Sequence, residues 1–214
     1  MCTVQHKSEE KLRLLFKDIV ADNKVHAKFL NTLSLLENTG ARKISASEDL
    51  EAVTLMMLKH AAEEHRHAFY LKKQIQKLPV DSCYTYNKED LLAPRSSLQY
   101  LNRLDVYTSK YLKRTLNLSG SKLRFAAYLL VTYAIELRAD QLYPIYQEAL
   151  HAALSKVSVK SIIFEEQGHL EEMILQLKEF SSDWQGHAKQ IQKIEEELFY
   201  QWVNHLNVSI HDRN

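Results

Sequence analysis

Breakers are scarce in this chain. Four glycines and three prolines are spread over 214 residues. That is too few for a sheet-rich fold of this size, so helices are expected throughout. Cysteine is equally sparse. Cys2 and Cys83 are the two present, with no Cys-x-x-Cys, which excludes a disulfide framework. An excess of either charge is missing as well: a net charge of +1 gives no global pull toward nucleic acid or a membrane surface. No apolar run approaches the ~18 residues of a membrane span. The opening Met1-Cys-Thr-Val-Gln-His-Lys lacks the apolar core of a signal peptide. The expectation is a soluble, cytoplasmic, all-α protein, a single helical domain over residues 1–214 with no membrane partner.

What is there is helical periodicity. A first helix is expected from Ser8, whose Ser-Glu-Glu-Lys reads as an N-cap with acids in the first turn. Its stripe is Leu12, Leu15, Ile19, Asp22, His26, Leu30, Leu33, Glu37. Gly40 offers a stop, although Ala41–Ile44 could prolong the helix. Ser47-Glu-Asp-Leu50 is expected to open a second helix, on the stripe Leu50, Val53, Met57, Ala61, Glu64, Ala68, Leu71, Ile75, Leu78, which runs to about Lys77 before Pro79. Residues 79–95 read as a loop, followed by an extra helix capped at Ser96 or Ser97 and broken at Ser119-Gly-Ser121. A third main helix follows on Leu123, Ala126, Leu130, Tyr133, Glu136, Asp140, Tyr143, with Pro144 expected to kink or interrupt it. A fourth covers about 157–180 on Val159, Ile162, Glu166, His169, Met173, Leu177, Phe180. The last covers about 184–207, with Ile191, Ile194, Leu198, Trp202 and Leu206 facing the core.

Several stripe positions hold glutamate where leucine belongs, and an ionised carboxylate in a core is costly unless something pairs with it. Glu64 and His67, and again Glu166 and His169, form Glu-x-x-His pairs whose members lie on adjoining parts of one helical face. With Glu37 and Glu136 the chain reads Glu, Glu-x-x-His, Glu, Glu-x-x-His, the set that a four-helix bundle uses to bind two metal ions. Glutamate can bridge the ions while histidine ligates one of them. The candidate metal ligands are therefore Glu37, Glu64, His67, Glu136, Glu166 and His169. About one accidental Glu-x-x-His is expected in a chain this rich in glutamate, and Glu148/His151, just after Pro144, is taken as that accident. The alternative reading of the others is satisfied structural polar groups. Glu37 can reach Glu64 only if the first helix continues through Ala41–Ile44 or the connection folds back; Asp22 and His26, on the same stripe and further from the turn, are the alternative sources of that ligand.

This ligand pattern and helix order, over about residues 8–180, resemble the ferritin-like di-iron carboxylate superfamily, which includes ferritins, rubrerythrins, aldehyde-deformylating oxygenases and a tRNA-modifying hydroxylase family. The text Ala-Ile-Glu136-Leu-Arg-Ala-Asp-Gln-Leu-Tyr143 is loosely similar to the third helix of the hydroxylases, whereas the extra helix at 96–116 departs from the simplest ferritin pattern. The resemblance implies a ferritin-like four-helix bundle whose long crossover carries the extra helix, with an additional C-terminal helix. It also implies binding of O₂ at a reduced di-iron centre. The expected function is a di-iron oxidase or oxygenase holding two iron ions, with manganese or a mixed Fe/Mn pair also suiting carboxylates. Its partners would be an unidentified small-molecule or modified-macromolecule substrate, O₂ and an electron donor, and it would be a monomer or small homo-oligomer. Metal storage or a metal-free helical interaction module are the alternatives, and fold analogy alone does not choose among them.

Groups near the site are read more plainly. Tyr133 and Asp140 flank Glu136 by one turn and could hydrogen-bond the ligands. Ordinary packing is as good an account of them. His60 is expected as a satisfied core histidine, His65 and Arg66 as solvated, and Phe69 and Tyr70 as packing. A substrate space beside the metals is expected to be lined by Met57, Phe125, Leu130, Tyr133, Phe164 and Met173.

Overall fold

The computed structural model describes residues 2–49, 51 and 53–211. Among them the chain forms seven α-helices, α1 (Cys2–Ala21), α2 (Asn23–Ser47), α3 (Leu55–Ile75), α4 (Pro94–Leu116), α5 (Gly120–Ala152), α6 (Lys160–Phe180) and α7 (Trp184–His211), with a short 3₁₀ turn at Lys88–Asp90 and no strand. The protein is all-α, and none of these helices is long and apolar enough to cross a membrane.

Where the chain departs from the periodicity, capping explains it. The expected first helix is two helices. Asp22 leaves helical geometry (φ −118°, ψ 114°) and its side chain accepts from the backbone N–H groups of Lys24 and Val25, so it caps α2. Ser8 starts nothing, because α1 is already helical from Cys2. Gly40 does not stop α2: Ala41 and Ile44 continue the buried stripe, and the helix runs on to Ser47. Nor does Ser47 open α3. That role falls to Thr54, whose side chain accepts from Met57 N–H, and Val53 stands exposed before it. Leu50, the first position of that stripe, lies outside the described residues. Ala93, in a left-handed conformation ahead of Pro94, caps α4 in place of Ser96 or Ser97. Asn117 (φ 52°) ends α4, just before the expected Ser119-Gly-Ser121 break. The helix α5 continues through Pro144, a correction to the expected interruption.

Four of the helices surround one space. Ser34 of α2 donates to the carbonyl of Ala68 on α3, while α3 and α6 meet from His60–Glu172 at one end to His67–Glu165 at the other, so each pair is antiparallel. At the turn between α5 and α6, Gln147 Oε1 accepts from Val159 N–H at 2.8 Å. Across the bundle, Tyr143 of α5 donates to Glu37 of α2. The 76–119 crossover returns the chain along the bundle, so α5 starts at the same end as α3. Helices α4 and α7 pack together outside α5, where Trp202 donates to Ser97 at 2.9 Å. Their apolar faces close the core on that side, while the outer sides of α3 and α6 remain in solvent, with Phe69 and Phe164 exposed.

Candidate metal centre

The level at which the glutamates meet follows from helix length. Glu37 lies ten residues before the end of α2, and Glu64 lies nine after the start of α3. Two antiparallel helices leaving one turn therefore bring them to the same height. This is what the continuation of α2 through Gly40 accomplishes.

All six sequence-derived candidates converge. Ligand atoms of Glu64, Glu136, Glu166 and His169 lie within 4.8 Å of one another, and so do those of Glu37, Glu64 and His67. Glu64 and Glu166 sit between the two histidines. Glu166 Oε1 is 3.0 Å from Nδ1 of His67 and its Oε2 is 3.6 Å from Nδ1 of His169. Glu64 does likewise, Oε2 toward His67 at 3.9 Å and Oε1 toward His169 at 3.8 Å. Glu136 Oε2 stands 3.7 Å from His169 Nδ1. Two nearly equivalent half-sites result, each with one histidine and one terminal glutamate, sharing the two central carboxylates.

The outer nitrogen of each histidine is already used. Nε2 of His67 donates to Glu165 and Nε2 of His169 donates to Glu63, each at 2.8 Å. The pairing is crossed, since each helix supplies the carboxylate that orients the other helix's imidazole. In the neutral ring such a bond fixes the tautomer and leaves Nδ1 with a lone pair directed inward. Sequence reasoning missed Glu63 and Glu165. The signal available was the Glu-Glu doublet that opens each motif, Glu63-Glu64 and Glu165-Glu166. Arg66 is exposed, as expected, and from there it also holds Glu165 at 2.5 Å.

The electrostatics are those of a site short of cations. Burial, then the neighbouring carboxylates, drive the pKa of Glu64 well above the ordinary range, with Glu37 and Glu166 the strongest neighbours. Burial and Glu166 do the same to Glu136. Burial works against ionisation of Glu166 too, but its contacts with Glu136, His169 and His67 outweigh it and hold its pKa low. His169 is raised to about 9 because Glu166 and Glu63 overcome desolvation. Buried atoms without a hydrogen-bond partner include Nδ1 of His67, Nδ1 of His169 and Oε2 of Glu136. Even the 3.0 Å contact of His67 with Glu166 is out of line for a hydrogen bond. Unsatisfied buried acceptors are rare in native proteins. Here they fall in the two half-sites, Nδ1 of His67 in one and Nδ1 of His169 with Oε2 of Glu136 in the other, where bound cations would satisfy them, and the mixed carboxylate–imidazole set fits iron or manganese.

Other candidates lie apart. Asp22 is the α2 cap. His26, fully buried, hydrogen-bonds Tyr146 Oη at 2.6 Å and serves packing. Neither replaces Glu37. His60 is satisfied between Tyr128 (3.1 Å) and Glu172 (2.9 Å), beside the His169 ring at 5.0 Å. Tyr133 packs edge-on against Trp184 instead of touching a ligand. Asp140 is half-buried, and Tyr143 takes the role expected of such neighbours by donating to Glu37. Glu148 pairs with Arg13 at the surface and His151 is exposed, as an accidental motif would be. Tyr70 donates to the Ser158 carbonyl.

A cavity does adjoin the carboxylates, with Glu37, Glu64, Glu136 and Glu166 at its inner wall, but it lies between α2 and α5 under α4 and α7. None of the six lining residues expected from the sequence borders it. Met57, Leu130 and Met173 are sealed in the core, and Phe164 is on the outer surface.

No family model, no curated protein and no solved structure matches this chain.

Proposed function

We propose that this site binds two metal ions, iron by its donor set, and that the protein is an O₂-activating oxidase or oxygenase with a ferritin-like bundle. The observation that carries the reading is the pair of equivalent half-sites. Each has an inward Nδ1 anchored from behind, one terminal glutamate and two shared glutamates. Three buried carboxylates and the partly buried Glu37 crowd together and repel one another, and two divalent ions would offset them. The helix order, two antiparallel pairs joined by a crossover along the bundle, supports the ferritin-like assignment.

A reduced iron pair held there would supply the electrons that bind and reduce O₂. The protein's own contribution is positional. Glu63 and Glu165 hold the imidazoles, and Tyr143 holds Glu37. The apolar packing of α4 and α7 keeps bulk water from the inner carboxylates. His67 and His169 face α3–α6 while the cavity meets the carboxylates from the α2–α5 side, so a substrate would approach opposite the histidines.

Elemental analysis of the purified chain should find two iron ions per chain. The ferrous protein should consume O₂ in turnover amounts once given an electron donor and substrate, and should elute as a monomer or small oligomer. Accumulation of many ferric ions in a large cage would instead make it a storage protein. A chain that takes up no iron or manganese would leave a helical module.

A further inference from the structure

The cavity carries more information than its position. Leu33–Ser47 of α2 and Tyr128–Tyr143 of α5 border a cavity of about 100 Å³. At 1.5 Å per residue, each stretch is about 20 Å long, so the space is elongated along the helices. Its walls are aliphatic, with Leu36 and Ile44 on one side and Val131 and Ile135 on the other. Tyr100 of α4 and Phe199 and Trp202 of α7 form the roof.

That roof is held stiffly. Arg138 donates to both oxygens of Glu195 at 2.9 and 2.6 Å, and Tyr100 donates to the same carboxylate. Tyr100 also stacks on Trp202, with ring centroids 5.8 Å apart and planes 12° from parallel. Arg138 is thus spent on Glu195. The remaining charged groups of the lining, away from the inner carboxylates, are Lys43 and Asp105, paired at 2.9 Å and partly exposed at the mouth. Away from the inner carboxylates, walls of this kind hold water poorly and favour an apolar occupant.

We propose that this cavity binds an extended aliphatic chain. Its body lies between α2 and α5 with one end or one methylene at the inner carboxylates, and its polar head stays at the Lys43–Asp105 mouth. Helices α4 and α7, which supply none of the candidate ligands, determine the shape of what fits. The identification of this chain as the substrate rests on the metal-centre reading; its binding does not.

The test is a titration of the full-length chain with saturated carboxylates and matching primary alcohols of increasing length. The two tryptophans are Trp184 and Trp202, so W184F leaves Trp202 as the reporter inside the cavity. Affinity should rise about fourfold per added methylene, the transfer value for a buried CH₂, in both series, and level off once the cavity is full. A chain brominated near its end should quench Trp202 saturably. Blocking the space with A139F, or with V131F should the first fail to fold, should abolish quenching while iron stoichiometry and helix content are retained. Affinity that ignores chain length, or saturable quenching that survives both blocking variants, overturns the inference. Iron uptake with no chain binding overturns it too and leaves the metal centre standing, whereas chain binding by a protein that takes up no metal supports it and removes the oxygenase reading.

Discussion

Nε2 of His67 on α3 donates to Oε2 of Glu165 on α6 at 2.8 Å, and the reciprocal bond from His169 to Glu63 has the same length. Each imidazole is therefore aimed by the helix across from it. If those bonds orient metal ligands, E63Q and E165Q should each lower metal affinity about 10- to 100-fold. The fold should survive, because both carboxylates are partly exposed. Competition with a chelator reads the affinity, and unchanged binding in both variants would show the bonds to be structural only.

Removing a shared ligand is the more severe change. E64A or E166A should lose at least one metal equivalent. E64A also removes one of the repelling carboxylates, so its metal-free form should melt at or above the temperature of the metal-free native chain. Added iron should then raise the melting temperature of the native chain but much less that of the variant. Two full equivalents retained in both variants would refute the ligand assignment.

The Arg138–Glu195 pair ties α7 to α5 beneath the roof of the cavity. Arg138 is 14% exposed and Glu195 4%, and the guanidinium also lies 3.9 Å from the Phe199 ring centroid. E195A strands that cation, so a loss of about 3–5 kcal/mol is expected. The double replacement R138M/E195L should recover a large part of it. Urea unfolding of the native chain and these two variants measures this, and E195A within about 0.5 kcal/mol of native would contradict it.

His26 gives the fold a pH dependence unconnected with the metal centre. Burial lowers its pKa to about 4 from 6.5. Between these values the unfolded chain binds a proton that the folded chain refuses. The stability present above about pH 6.5 is therefore lost as pH falls toward 4, by about 3 kcal/mol in all. H26Q, which can still hydrogen-bond Tyr146, should flatten that part of the profile in denaturant melts at stepped pH. An identical slope in the variant would assign it to other groups.

Much of the site was legible before any fold was known, for a geometric reason. Residues three apart on a helix share a face whatever surrounds them, so Glu64 with His67 and Glu166 with His169 had to present their side chains together. Their place on apolar stripes meant that the face was an inner one. Glu37 could not be assigned this way, since its height relative to Glu64 depends on where two helices end. A cap at Thr54 and an unbroken run through Gly40 set that height, and helix ends are set by local capping that periodicity does not reveal.

The amino-acid sequence by itself determined the all-helical class, because helical periodicity runs through most of the chain and the helix breakers glycine and proline are scarce. It also determined which two helices carry the histidines. Tertiary structure alone decided which carboxylate stands behind each imidazole, since Glu63 and Glu165 reach across to the opposite helix and no spacing along one helix encodes that. It decided the place of the cavity as well. The cavity between α2 and α5 is roofed by α4 and α7, which Arg138, Glu195 and Trp202 tie in place, residues far apart in the chain that meet only once the bundle has closed.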